Sequence, residues 1–250
     1  MIIDSENILN KVARTYKTPI FAALGGDRSY GIYCPDTPYI IAGCYAASIV
    51  DEANLNGVIP DEPHHLHKAP KADAPLNWEM QEVAAFIKRL KANDITALEE
   101  IHSPLLFLET AKFRELKELT RATLSKSLYP VILERIEKKR RMYANMESPT
   151  NSILLELARV YMQGIYLFRL KKFVVNLKRL NEYFDLFIVT RILDEMNQKS
   201  EKYFIGQSSE TESLFEFLHD EFNQAYNYST LPDSADNQEK LLNAYLRSMR

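Results

Sequence analysis

Apolar residues change their spacing once along this chain, and that change limits the fold more than any other feature. Up to residue 50 they come in two short uncharged runs. Thr18-Pro19-Ile20-Phe21-Ala22-Ala23-Leu24 ends at Gly25-Gly26, and Tyr39-Ile40-Ile41-Ala42-Gly43-Cys44-Tyr45-Ala46 follows Pro35-Asp36-Thr37-Pro38. Runs of this length bounded by glycine or proline read as buried strands. Pro38 has no N–H to give to a ladder, so the second strand begins at or after it. From Trp78 the spacing reads as helical. Met80, Val83, Ala84, Ile87 and Leu90 fall on one stripe, with Asn77 as N-cap and Glu79 in the first turn. Helical spacing then returns to the C-terminus, broken at Ser103-Pro104, Ser148-Pro149 and Leu231-Pro232. The expectation is an α+β protein. Residues 1–77 form a small head with a mixed sheet, and residues 78–250 form a helical body packed on it.

Within the body, Ser152 to Phe168 is apolar nearly all round, the mark of a central helix. Between head and body, Asp51 to Pro75 carries four prolines and three histidines and reads mostly as loop, with one short strand at Val58-Ile59. Only 7 of the 250 residues are glycine, which disfavours glycine-rich loop folds. The net charge of −3 provides no global field for nucleic acid, so general DNA binding is not expected and any such contact needs a local patch. Cys34 and Cys44 are too few for a disulfide scaffold or a thiol metal site. No uncharged stretch is long enough to span a bilayer, and Met1 to Glu6 lacks the basic-then-apolar pattern of a secretory leader. A cytoplasmic location without membrane contact is the expectation.

Four pieces of the chain, in order, carry a resemblance. They are Gly25-Gly26-Asp27-Arg28-Ser29-Tyr30-Gly31 through Pro35-Asp36-Thr37-Pro38-Tyr39-Ile40-Ile41, then Leu98-Glu99-Glu100-Ile101-His102-Ser103-Pro104. Ala158-Arg159-Val160-Tyr161 and Tyr228-Ser229-Thr230-Leu231-Pro232 complete the set. Together they resemble the polymerase-β-like nucleotidyltransferases, in particular the predicted nucleotidyltransferases of bacteria and large tailed phages, which include RNA-ligase-associated polymerases. The resemblance implies a glycine turn that holds phosphate and two aspartates spaced i, i+2 on the following strand. Period-two geometry points such a pair to one face, where with a third carboxylate from a neighbouring strand they hold Mg²⁺. The metal neutralises the triphosphate and activates the attacking hydroxyl.

This chain departs from that pattern where the chemistry sits. The aspartate positions align with Pro38 and Ile40, and the phosphate-binding serine aligns with Asp27. The third carboxylate is expected just before the Glu79 helix, where Asp73 is the nearest acid. The expected function is therefore that of a degenerate nucleotidyltransferase-like protein, a pseudoenzyme with no catalytic residue and no cofactor. It would act by binding a protein, RNA or nucleotide partner. One alternative is an active enzyme in which Asp36, Asp51, Asp61 or Asp73 replaces the lost ligands and Mg²⁺ is required. A second is a structural subunit without a ligand. Gly25, Gly26, Arg28, Ser29, Gly31 and Arg159 are the candidates for phosphate or nucleotide contact. Each has a plain structural reading beside it: a tight turn for the glycines, a carboxylate or surface role for Arg28, and a protein carboxylate such as Glu99 or Glu156 facing Arg159.

Three further clusters complete the reading. His64-His65-x-His67 has acids nearby but no evident fourth ligand. Lys138-Lys139-Arg140-Arg141 is either an RNA-backbone patch or a basic helix end. Arg169, Lys171, Lys172, Lys178 and Arg179 alternate with Phe168, Phe173 and Tyr183, a pattern suited to single-stranded nucleic acid unless the aromatics are core.

Overall fold

The two apolar runs are strands β1 (Pro19–Gly25) and β2 (Tyr39–Tyr45), paired antiparallel with Gly25 opposite Ile40. The computed structural model describes residues 5–34, 37–47, 76–147, 149–198 and 209–249. Asp36, Asp51, Asp61, Asp73, the His64–His67 cluster and Val58-Ile59 lie outside the described residues. The chain is α+β, with a mixed sheet and a helical C-terminal part.

One stretch differs from the reading above. Leu76–Glu82 is strand β3, parallel to β2, and the helix begins only at Val83. The reason is an overlap of two periods. Leu76, Trp78 and Met80 alternate with Asn77, Glu79 and Gln81, and Trp78 and Met80 are buried. Met80 also continues the stripe of α3 (Val83–Lys91), which extends the apparent helix backwards. Glu82, not Asn77, caps α3 by accepting from the Ala84 N–H. A short strand β4 (Leu106–Glu109) pairs antiparallel with β1, which gives the sheet order β3-β2-β1-β4.

The structure divides into two compact units that do not follow chain order. The first takes residues 1–26, 38–123 and 235–250. Here helix α1 (Ser5–Thr15) lays Ile8 and Val12 on Ala22, Ile41, Trp78 and Met80, with Tyr16 just beyond the helix. The opposite face of the sheet buries Phe21 against Phe86 of α3 and Phe113 of α5 (Ala111–Ala122). Gly43 is forced by this sheet, because a Cβ there would stand 2.1 Å from the Phe21 carbonyl oxygen. Ser103, of the Ser-Pro element after α4 (Ile95–Ile101), donates to the Leu24 carbonyl at 2.6 Å. Thr110 caps α5 and donates to the Ile20 carbonyl at 2.7 Å. The last helix, α11 (Gln238–Arg247), also belongs to this unit, and Tyr245 there donates to the Lys112 carbonyl.

The second unit takes residues 27–37 and 124–234. Its axis is α7 (Asn151–Leu170), buried around almost its whole circumference, as its sequence predicts. Helices α6 (Leu128–Ala144) and α10 (Ser209–Asn227) pack on it, and α8 (Leu177–Phe184) and α9 (Phe187–Gln198) follow. Gly164 of α7 allows the close approach of α10, since a Cβ would meet the Phe222 ring at 2.5 Å. Ser229, in the tail element after α10, donates to the Phe168 carbonyl at 2.8 Å.

Candidate functional site

In the first unit, β1 ends on Gly25, and Gly26 turns with φ +61°. An L side chain there is strained, so glycine is required by the turn itself. Ile40 lies directly over it: a Cβ on Gly26 would stand 2.7 Å from Ile40 Cδ1. Pro38, exposed, immediately precedes β2, and Ile40 is half-buried two residues on. A pyrrolidine ring and an aliphatic branch offer no oxygen to a hard cation.

The neighbouring strand carries an acid that the sequence reading placed on a helix. The register pairs Ile40 with Asn77, Ala42 with Glu79 and Cys44 with Gln81. Glu79 therefore stands on the Ile40 face, one rung further along, with Trp78 and Met80 buried behind it. Its signal was present in the sequence, as a carboxylate flanked by two alternating large apolar residues. Beyond it, Arg89 of α3 donates to Gln81 at 3.0 Å, to Asp94 at 2.7 Å and to Glu100 at 3.0 Å. Burial pushes the Glu100 carboxyl up to about 7, with Arg89 opposing and the charges of Asp94 and Glu79 adding to the rise. Glu100 is committed to an ion pair with Arg89, and Glu79 is the acid of β3 on the Ile40 face; Glu109 of β4, opposite Phe21, shares that face and pairs with Arg114. Among the described residues no group of three His, Cys, Asp or Glu side chains is placed to hold a metal ion.

Arg28, Ser29, Gly31 and Arg159 belong to the second unit. Helix α2 (Gly26–Tyr30) carries Arg28, whose guanidinium donates to the Thr37 carbonyl at 2.8 Å and lies 5.0 Å from the centre of the Tyr33 ring. Its donors close the loop that follows it. Ser29 is buried, and its carbonyl accepts from the Asn176 side chain at 3.4 Å. Gly31 turns with φ +78°, and a Cβ there would stand 2.9 Å from Asn176 Nδ2. Asn176 also caps α8 through Oδ1, so one side chain fixes both the helix start and the loop. Arg159, fully buried on α7, stacks 3.7 Å from the centre of the Tyr30 ring. Glu156, named above as a partner for it, forms an ion pair with Lys139. Sequence reasoning missed Tyr30 and Asn176, although Asn176 directly precedes an apolar-periodic segment in the manner of an N-cap.

Of the basic clusters, Lys138, Arg140 and Arg141 are exposed on α6. In the aromatic-basic stretch, Phe168 and Phe173 are core, whereas Tyr183 is 45% exposed.

No family model matches this chain, and no curated protein matches it. Among the described residues no helix is long and apolar enough to cross a membrane.

Proposed function

We propose that this chain is a catalytically degenerate nucleotidyltransferase-like protein that acts by binding a partner, either a nucleotide, RNA or a protein. The observation that carries the reading is the seating of Ile40 over the Gly26 turn. It fills the space beside the glycine turn with hydrocarbon and leaves Glu79 as the acid that the neighbouring strand β3 brings to that face. One carboxylate does not hold two divalent cations, and without them a triphosphate keeps its repulsive charge. Two buried cysteines outside any disulfide, Cys34 and Cys44, accord with a cytoplasmic location.

The test is thermal denaturation with each nucleoside triphosphate, with and without Mg²⁺, beside an assay for transfer of labelled nucleotide to RNA or protein. A ligand at 100 times its Kd stabilises by about 2.7 kcal/mol. The expected result is no transfer and no stabilisation that requires Mg²⁺. A shift without metal identifies a nucleotide as the partner, and no shift identifies a macromolecule. Turnover, or Mg²⁺-dependent stabilisation by a triphosphate, overturns the reading.

A further inference from the structure

We infer that the second unit carries a docking surface for single-stranded RNA around the C-terminal end of α7 and the outer face of α8. This rests on the proposed reading only in that the protein acts by binding; it uses no residue of the glycine turn. Three observations meet there. The first is a shallow pocket of about 250 Å³ lined by Arg169, Gln224, Tyr228 and Thr230, among others. Tyr228 stands at its rim 83% exposed, the most exposed large apolar side chain among the described residues. Single exposed aromatics are common, so this alone decides nothing.

The second observation makes the aromatic surface continuous. Arg169, which lines the pocket, donates to Glu221, and its guanidinium lies near the Tyr183 hydroxyl of α8. The Tyr183 ring in turn meets the Tyr166 ring edge-on, with centroids 5.3 Å apart. Pocket, guanidinium and two tyrosines therefore form one strip. Arg179 lies one turn before Tyr183, on the same side of α8.

The third is charge. Residues 166–187 hold five basic and two acidic side chains, in a chain whose net charge is −3; Arg169 pairs with Glu221 and Arg179 with Glu182, which leaves the three lysines. Lys171, Lys172 and Lys178 are exposed and make no ion pair among the described residues. A basic patch held on an acidic chain needs an anionic partner to explain it. Rings beside guanidinium groups offer faces on which unpaired bases stack, while the lysines follow the phosphates. The amide of Gln224 and the hydroxyl of Thr230 supply both donor and acceptor to a ribose 2′-hydroxyl, the group that marks RNA. An anionic membrane would use the lysines but has no use for the Gln224 amide and the Thr230 hydroxyl in the pocket.

The experiment is fluorescence anisotropy of the full chain with a labelled single-stranded RNA of about a dozen nucleotides. Single-stranded DNA of the same sequence, the RNA duplex and vesicles containing phosphatidylserine are the comparison arms. The expected result is preferential binding of the single-stranded RNA. Three engaged lysines give a slope of about −2 in log affinity against log salt. Tyr228→Ala weakens binding about tenfold without moving the melting temperature, since that ring is exposed. Lys172→Glu with Lys178→Glu weakens binding and lowers the slope by about 1. Absence of RNA binding at low salt overturns the inference, as does binding indifferent to both variants. Equal or tighter binding of DNA, duplex or vesicles overturns it too. Failure here leaves the degenerate glycine-turn site standing, whereas nucleotide turnover in the transfer assay would overturn that site and leave this surface untouched.

Discussion

If Ile40 occupies the space over the glycine turn, its side chain and a methyl group added at Gly26 compete for one volume. The perturbation is a double-mutant cycle of Gly26→Ala and Ile40→Ala. Alanine at φ +61° costs about 1 kcal/mol in backbone strain whatever surrounds it. The new Cβ would also stand 2.7 Å from Ile40 Cδ1, well inside contact distance. Cδ1 is the end of a flexible side chain, so it moves off its rotamer at a cost of about 1 kcal/mol. Gly26→Ala alone should therefore cost about 2 kcal/mol. In the Ile40→Ala background only the backbone part remains, because the Ile40 Cβ would be 3.9 Å away. The two changes should couple by about 1 kcal/mol, with the double variant more stable than the sum of the singles predicts. Urea unfolding followed by tryptophan fluorescence measures this locally. The chain has a single tryptophan, Trp78, and its strand neighbour in register is Ile41, next to Ile40. Additive costs, with coupling under about 0.3 kcal/mol, would refute the seating of Ile40 and remove the main support for a degenerate site.

Two further predictions concern the first unit. Gly43→Ala places a Cβ 2.1 Å from the Phe21 carbonyl, where backbone meets backbone and neither yields. The expected loss is about 3 kcal/mol or more, read from the same urea midpoint, and a loss under about 1 kcal/mol would contradict the β1–β2 register. For Glu100, burial lifts the folded carboxyl from 4.5 to about 7, so the folded chain holds that proton more tightly than the unfolded one. Its contribution to stability is fully present below 4.5 and is lost as pH rises to about 7, by about 3 kcal/mol across that window. Glu100→Gln should flatten the pH dependence of unfolding free energy there, and an unchanged profile would show that another group governs it.

How far the fold could be read depended on whether one period or two occupied a segment. Residues 19–25 and 39–45 are uncharged, short and ended by glycine or opened after proline, so nothing but a strand fits them. The stretch 151–170 is long and apolar around its circumference, so it is a central helix by the same logic. Leu76 to Leu90 defeats such a reading, because an alternating strand and a helical stripe share Met80. A period-two assignment would have put Glu79 on the strand face away from Trp78 and Met80, whereas its place opposite Ala42 comes only from the register with β2.

The candidate site was legible in its chemistry and not in its contacts. That positions 38 and 40 hold no oxygen ligand follows from residue type alone. Arg28 reads as a phosphate ligand because its charge is visible in a sequence, while the acceptors it uses, the carbonyls of Cys34 and Thr37, depend on how the loop turns. Asn176, more than 140 residues from Ser29, reaches that loop only through the fold. The same holds for Ile40. Its identity shows that position 40 carries no oxygen, but only the left-handed turn at Gly26, facing it across the β1–β2 pair, shows what the side chain is seated against. An aliphatic group that merely lay near the turn would be tolerant of change. One seated against a glycine that admits no side chain is coupled to it, so introducing an acid at position 40 alone would loosen the turn as well as change the charge.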